Sequence, residues 1–402
     1  MISIHTLTSA LHDEHAVSMV TAEFLGSLGI EYTLRGADFS TYGDDVLNLI
    51  YVRTGGTEGL FKEVFDKVTS SKQPVYLLTS GKSNSLAASM EILSYLRSMG
   101  VAGEIIHGTA DYIYNRVQTL LQIENARREL KGKRLGVIGK PSDWLIASAC
   151  DYEAVKAKLG VEIEDIPMKE LVGEIKNVPA QEYTFDIVGF DKKLEDCKGY
   201  KTVKEALPGA QAIYLALKKL VERHNLSGLT IRCFDLLSAV GNTGCLALAQ
   251  LNSEGIVSSC EGDIPALLSM LIADAVTGLT GFQANPSRIN PEDGRIVFAH
   301  CTVPFNMLED CALDTHFESG IGVGIKGEIP CTPVTVFKVS GDLSRFFTAE
   351  GEIERNLTER DLCRTQIVVK LQDTSYFFNN PIGNHHILVP GHYADAFAAL
   401  LK

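Results

Sequence analysis

Glu261 follows the apolar run Gly255-Ile256-Val257-Ser258-Ser259-Cys260 and precedes the helix-like run Ala266-Leu267-Leu268-Ser269-Met270-Leu271-Ile272. A carboxylate at the end of a buried strand is aimed out of the sheet, into the crevice where α/β proteins bind ligands. His300 closes a second strand-like segment, Arg295-Ile296-Val297-Phe298-Ala299, and His385 lies in Gly383-Asn384-His385-His386. One Glu and two His at the ends of apolar segments can hold a divalent cation and leave coordination positions open. Plainer roles fit the same spacing. Asp263 stands where a helix N-cap would, with Pro265 in the first turn. A single His after a strand commonly serves as a hydrogen-bonded structural residue.

Alternating elements must position these groups. Residues 46–52 and 74–79 read as buried strands. Each is followed by a small polar turn, Thr54-Gly55-Gly56-Thr57-Glu58-Gly59 or Ser80-Gly81-Lys82-Ser83-Asn84-Ser85, and then by a helical stretch, 60–68 or 86–99. Strand, turn and helix in repetition predict a parallel sheet with crossover helices. The second turn resembles the end of a phosphate loop, but that pattern needs a glycine where Tyr76 stands, so a nucleotide loop is excluded. These turns are expected to form a ligand-contacting rim or simple connections.

A charged helical connector at 123–133 leads to a second α/β unit. Its expected strands are 134–139, 161–166, 229–234 and 255–260, and its helices include 152–159 and 203–223. Beyond about residue 285 the texture turns β-rich, with strands at 296–299, 333–339 and 365–371 and a closing helix at 393–401. Gly322-Val323-Gly324-Ile325-Lys326-Gly327 matches a dinucleotide fingerprint in letters only, because Glu328-Ile329-Pro330 and a strand follow it instead of a helix. The expected architecture is two parallel-sheet, Rossmann-like α/β domains, 1–132 and 133–285, and a mostly antiparallel β-rich domain, 286–402.

The chain of 402 residues carries a net charge of −13, which argues against non-specific binding to nucleic acid or to an anionic membrane. Nine Cys occur with no Cys-x-x-Cys pair, the pattern of reduced thiols in a reducing compartment. The first residues lack the basic-then-apolar pattern of a signal peptide, and no apolar run reaches membrane-spanning length. A cytoplasmic location is expected.

Several segments together resemble the L-fucose isomerase and L-arabinose isomerase superfamily, most closely its shorter L-fucose isomerase-like members. They are Gly139-Lys140-Pro141-Ser142-Asp143-Trp144-Leu145, Cys260-Glu261-Gly262-Asp263, Ala299-His300-Cys301, Asn384-His385-His386 and Gly391-His392. The resemblance runs from about 134 to 402; before that it is architectural only. It implies a divalent cation, Mn²⁺ or Mg²⁺, and interconversion of aldose and ketose. It implies Glu261 as cation ligand and base, and His385 and His300 as further ligands. The second carboxylate of the family should fall near Gln283-Ala284-Asn285-Pro286, where this chain has Asn285. An Asn can ligate through its carbonyl but cannot shuttle a proton at neutral pH. Asp263 and Glu318 are the nearest substitutes. Trp144 is a candidate stacking residue for a sugar face, and Glu318 and His386 are candidate substrate contacts.

The expected activity is a metal-dependent aldose–ketose isomerase on a deoxy-sugar or pentose, acting through an enediol. Asn285 predicts weak turnover of plain L-fucose, D-arabinose and L-arabinose. The alternatives are another metal-assisted reaction on a modified sugar and a non-catalytic sugar-binding protein. A homo-oligomer is expected as well.

Overall fold

A computed structural model describes residues 1–71, 73–179 and 200–401. The chain divides into two compact units, residues 1–125 and 126–402.

The first unit is built on five parallel strands, β1 (Ile2–Leu7), β2 (Thr33–Gly36), β3 (Leu47–Val52), β4 (Val75–Leu78) and β5 (Gly103–Ile106), in the order β2-β1-β3-β4-β5. β1, β3 and β4 are buried along their whole length, which explains their unbroken apolar character. Ile50, Val52, Phe61, Leu77 and Ile92 form the heart of its core.

The second unit joins a parallel sheet to a barrel. The sheet has β6 (Arg134–Ile138), β7 (Glu162–Ile166), β8 (Gly228–Ile231) and β9 (Val257–Cys260), in the order β7-β6-β8-β9. The barrel closes in the order β10-β11-β16-β15-β14-β17. Its strands are β10 (Phe282–Asn290), β11 (Arg295–His300), β14 (Pro333–Val339), β15 (Phe346–Asn356), β16 (Thr365–Leu371) and β17 (His386–Pro390), all paired antiparallel. Phe282, Phe298, Val336, Ile367 and Leu388 pack in its core. The last helix, Ala394–Leu401, covers it by stacking Phe397 on Phe337 at 4.2 Å. β12 (Asp310–Asp314) and β13 (Gly324–Glu328) form a separate two-stranded sheet. The glycine-rich segment at 322–327 runs into β13, as a loop-and-strand reading requires.

The α/β alternation followed by antiparallel β structure is the expected architecture, and barrel closure refines it. One expected strand is shorter. Residues 229–234 stop pairing at Ile231, and Cys233–Val240 is helix, because the apolar run spans a strand end and a helix start without a break. Among the described residues, no helix is long and apolar enough to cross a membrane.

Candidate functional site

The C-terminal end of β9 makes a sharp turn. Glu261 takes a left-handed backbone, φ +66°, and Gly262 follows at φ +70°. A non-glycine residue held there is strained, and such strain collects at functional sites. The surroundings enforce it. Glu261 N–H donates to Cys233 Sγ at 3.1 Å, its carbonyl accepts from Ser142 N–H at 3.0 Å, and Gly262 N–H donates to the Ile231 carbonyl at 2.9 Å. A Cβ on Gly262 would run into the Lys140 carbonyl and the Pro141 Cα. Gly262→Ala should therefore lower stability by roughly 1–3 kcal/mol, read as a drop in the thermal midpoint. An unchanged midpoint would show that the 139–144 loop moves aside freely.

That loop is clamped from β8. Arg232 donates to the Pro141 carbonyl at 2.6 Å and pairs with Asp143 at 2.6 Å. It thereby presents Trp144, half-exposed and edge-to-face with Phe234, whose indole N–H donates to Glu261 Oε2 at 2.7 Å. Gln283 of β10 ties the barrel to the turn by accepting from Cys260 N–H at 2.8 Å.

Three residues separated in sequence meet here. Glu261 Oε1 lies 3.9 Å from His300 Nε2 and 3.5 Å from His385 Nε2. One potential ligand atom from each of the three falls within 4.8 Å of the others. His385 Nδ1 is 2.9 Å from Asp263 Oδ2 and donates to it, since an ionised carboxylate only accepts. His385 Nε2 is buried and makes no well-formed hydrogen bond. A buried polar atom without a partner, aimed at a carboxylate and a second imidazole, fits a divalent cation. His300 Nδ1 bonds Thr302 Oγ1 at 2.9 Å, leaving its Nε2 toward Glu261.

The electrostatics agree with a cation site. Burial alone would raise the Glu261 carboxyl, but His385 and His300 facing it and the Trp144 N–H outweigh it and hold its pKa at about 2. Burial, with His385 beside it, pushes His300 down to about 3, so its imidazole is neutral. Burial also opposes charge on His385, yet Asp263 and Glu261 lift it to about 9. In the absence of a cation, a proton on His385 thus offsets one of the two carboxylate charges, and Lys338 faces the other at Asp263.

A small cleft adjoins the cluster. Glu261, Asn285, His300, His316 and Glu318 line it. Asn285 Oδ1 accepts from Asn384 Nδ2 at 3.1 Å. His316 and Glu318 come from the connection between β12 and β13, which Thr243 anchors through Val323 N–H at 2.9 Å and Arg364 through the Thr315 carbonyl at 2.7 Å. Burial raises the Glu318 carboxyl, and Glu261 raises it further.

Two sequence candidates lie elsewhere. Asp263 has no exposed surface; it caps the helix Ile264–Thr277 through Ala266 N–H and reaches the cluster only by way of His385. His386 is wholly buried among Phe298, Phe347, Tyr376 and Phe377, and bonds the Tyr376 hydroxyl at 3.0 Å. Neighbouring residues on an extended segment point to opposite faces, so His385 facing the cluster turns His386 away. The sequence reading overlooked His316, which no motif marks. It also overlooked the thiols: Cys233, Cys245, Cys260, Cys301 and Cys363 all line the cleft. Cys150, Cys233, Cys245, Cys260, Cys301, Cys331 and Cys363 are free thiols, and Cys197 lies outside the described residues.

Comparison with known proteins places this geometry in context. A family model of the L-arabinose isomerase central domain matches residues 147–275. A sulfoquinovose isomerase of Priestia aryabhattai is 25% identical over 307 residues, covering 73% of this chain and 68% of that protein. Those of Alkalicoccus urumqiensis (24% over 222 residues, 54% and 49%) and Clostridium sp. strain MSTE9 (25% over 279 residues, 64% and 59%) are also similar. With the α/β units, the barrel and the motif segments, these matches make the chain similar to the L-arabinose and L-fucose isomerase superfamily, its middle part to the L-arabinose isomerase central domain.

Proposed function

We propose that this chain is a metal-assisted aldose–ketose isomerase acting on a 6-deoxy aldose or a pentose. Aldose–ketose isomerase activity goes with the superfamily; the metal, the proton carrier and the sugar are the finer reading. The observation that carries it is the convergence of Glu261, His300 and His385 at the rim of one cleft. A carboxylate and two imidazoles suit Mn²⁺ or Mg²⁺. Such a cation, held by these three residues, would polarise the sugar carbonyl and favour negative charge on its oxygen.

The remaining work falls to the chain's own side chains. A carboxyl held at about 2 is a poor base, so Glu261 serves chiefly as an anionic ligand. Glu318 lines the same cleft and is shifted the other way, nearer the range where a group both accepts and returns a proton at neutral pH. We assign it the proton transfer between C1 and C2 that Asn285 cannot perform. Asn285, His316 and Trp144 are placed to bind and orient sugar hydroxyls or an apolar sugar face.

The relatives favour a second reading of the sugar. They are named for sulfoquinovose, a 6-deoxy sugar bearing a sulfonate. Ketose formation with Mn²⁺ should be followed on sulfoquinovose, L-fucose, D-arabinose and L-arabinose. Turnover of the neutral sugars supports the first reading, and turnover of sulfoquinovose alone supports the second. Binding of a sugar without turnover of any would leave a sugar-binding protein.

Cation affinity should depend on pH with a definite sign. A cation must displace the His385 proton, which stays on up to about pH 9. Mn²⁺ affinity should therefore rise roughly tenfold per pH unit from neutrality and level off above that value. The sole tryptophan, Trp144, bonds to Glu261, so its fluorescence reports binding directly. An affinity flat with pH would mean that His385 holds no such proton.

A further inference from the structure

Asp263, which orients His385, is itself held by a buried cation. Lys338 projects from β14 with 1% exposure, and its Nζ lies 3.4 Å from Asp263 Oδ2 and 3.5 Å from Oδ1. Helix capping does not explain this lysine. Asp13 and Asp151 cap their helices through the same bond, to Ala16 N–H and Ala154 N–H, at exposed positions. Asp263 differs in being sealed from water and bonded to His385.

We infer that Lys338 is a positioning residue of the cation site, acting through Asp263 on His385. An ionised, buried carboxylate needs a charged partner. Lys338 spans both Asp263 oxygens while Oδ1 accepts from Ala266 N–H and Oδ2 from His385 Nδ1. With the negative charge fixed there, one proton stays on Nδ1, and a cation that displaces the other meets the Nε2 lone pair on the Glu261 side. Without Lys338 the Asp263 carboxylate loses the buried partner that fixes both its oxygens, and the His385 ring loses that orientation. Partners of this kind behind a metal-binding histidine set its basicity and tautomer. The inference rests on reading Glu261, His300 and His385 as the ligands.

The test uses the full chain and Mn²⁺ alone, with Trp144 quenching as the binding readout. Lys338→Met should weaken Mn²⁺ binding by about 10- to 100-fold. Its kcat at saturating Mn²⁺ should stay near that of the wild type, and Lys338→Arg should recover most of the affinity. If Lys338→Met does not fold, Lys338→Met combined with Asp263→Asn removes both buried charges and should bind as weakly. Binding within about twofold of wild type by either variant would overturn the inference. Nitrogen-15 NMR of the metal-free protein separates the two failures. A wild type that ignores Mn²⁺ removes the ligand reading. In that case, a His385 Nδ1–H bond present in wild type and lost in Lys338→Met still supports the positioning role, whereas one unchanged in the variant ends it.

Discussion

Glu261→Gln should fold normally, lose its Mn²⁺-dependent change in Trp144 fluorescence and slow ketose formation by at least about 10²-fold. Lewis-acid stabilisation is worth several kcal/mol, and about 1.4 kcal/mol is a factor of ten. The amide keeps an oxygen that can accept from the Trp144 N–H, and the tight turn is held by backbone bonds that the substitution leaves in place. What disappears is the anion facing both histidines. Circular dichroism and the thermal midpoint check the fold. Full turnover by this variant would remove Glu261 from the site.

Glu318→Gln should lower kcat by about 10² to 10⁴, the usual worth of one positioned proton-transfer group, with Mn²⁺ binding near wild type. Asn285→Asp returns a carboxylate to the family position on the same cleft. In the Glu318→Gln background it should recover part of the lost rate. The pair is informative because the two carboxylates would reach the sugar from different elements, β10 and the β12–β13 connection. A Glu318→Gln enzyme with unchanged kcat would refute the assignment of Glu318, and rescue by Asn285→Asp separates proton transfer from a loss of shape.

The parts of this site that were legible in sequence sit where an apolar run stops. Glu261 and His300 end strands, and His385 directly precedes one, so element ends located the cluster before any contact was known. The limits are equally physical. His385 and His386 are neighbours in one motif, and only the face taken by the strand separates ligand from core residue. Lys338 sits in Val336-Phe337-Lys338-Val339, where a charged residue reads as the solvent side of an alternating strand. Closure of the barrel turns that side inward. Asp263 had a sufficient explanation as a helix cap, and the cap is real, but a local role hid the longer-range bond to His385. Glu318 and His316 lie in an irregular connection, where periodicity carries no information about direction.

The seam that closes the barrel also sets an order of events. β17 pairs with β10 and β14, and Gln283 meets Ile387 across a long stretch of intervening chain. Contacts between residues so distant in sequence form late, because loop-closure entropy must be met before they are rewarded. His385 stands immediately before β17, so the third candidate ligand arrives only as the seam zips shut. Glu261, at the end of a strand paired within the parallel sheet, can be in place well before. A cation bound at the proposed site would then be captured by a nearly finished molecule, and would favour the closed seam by mass action. Loading of that cation would then be tied to the last stage of folding.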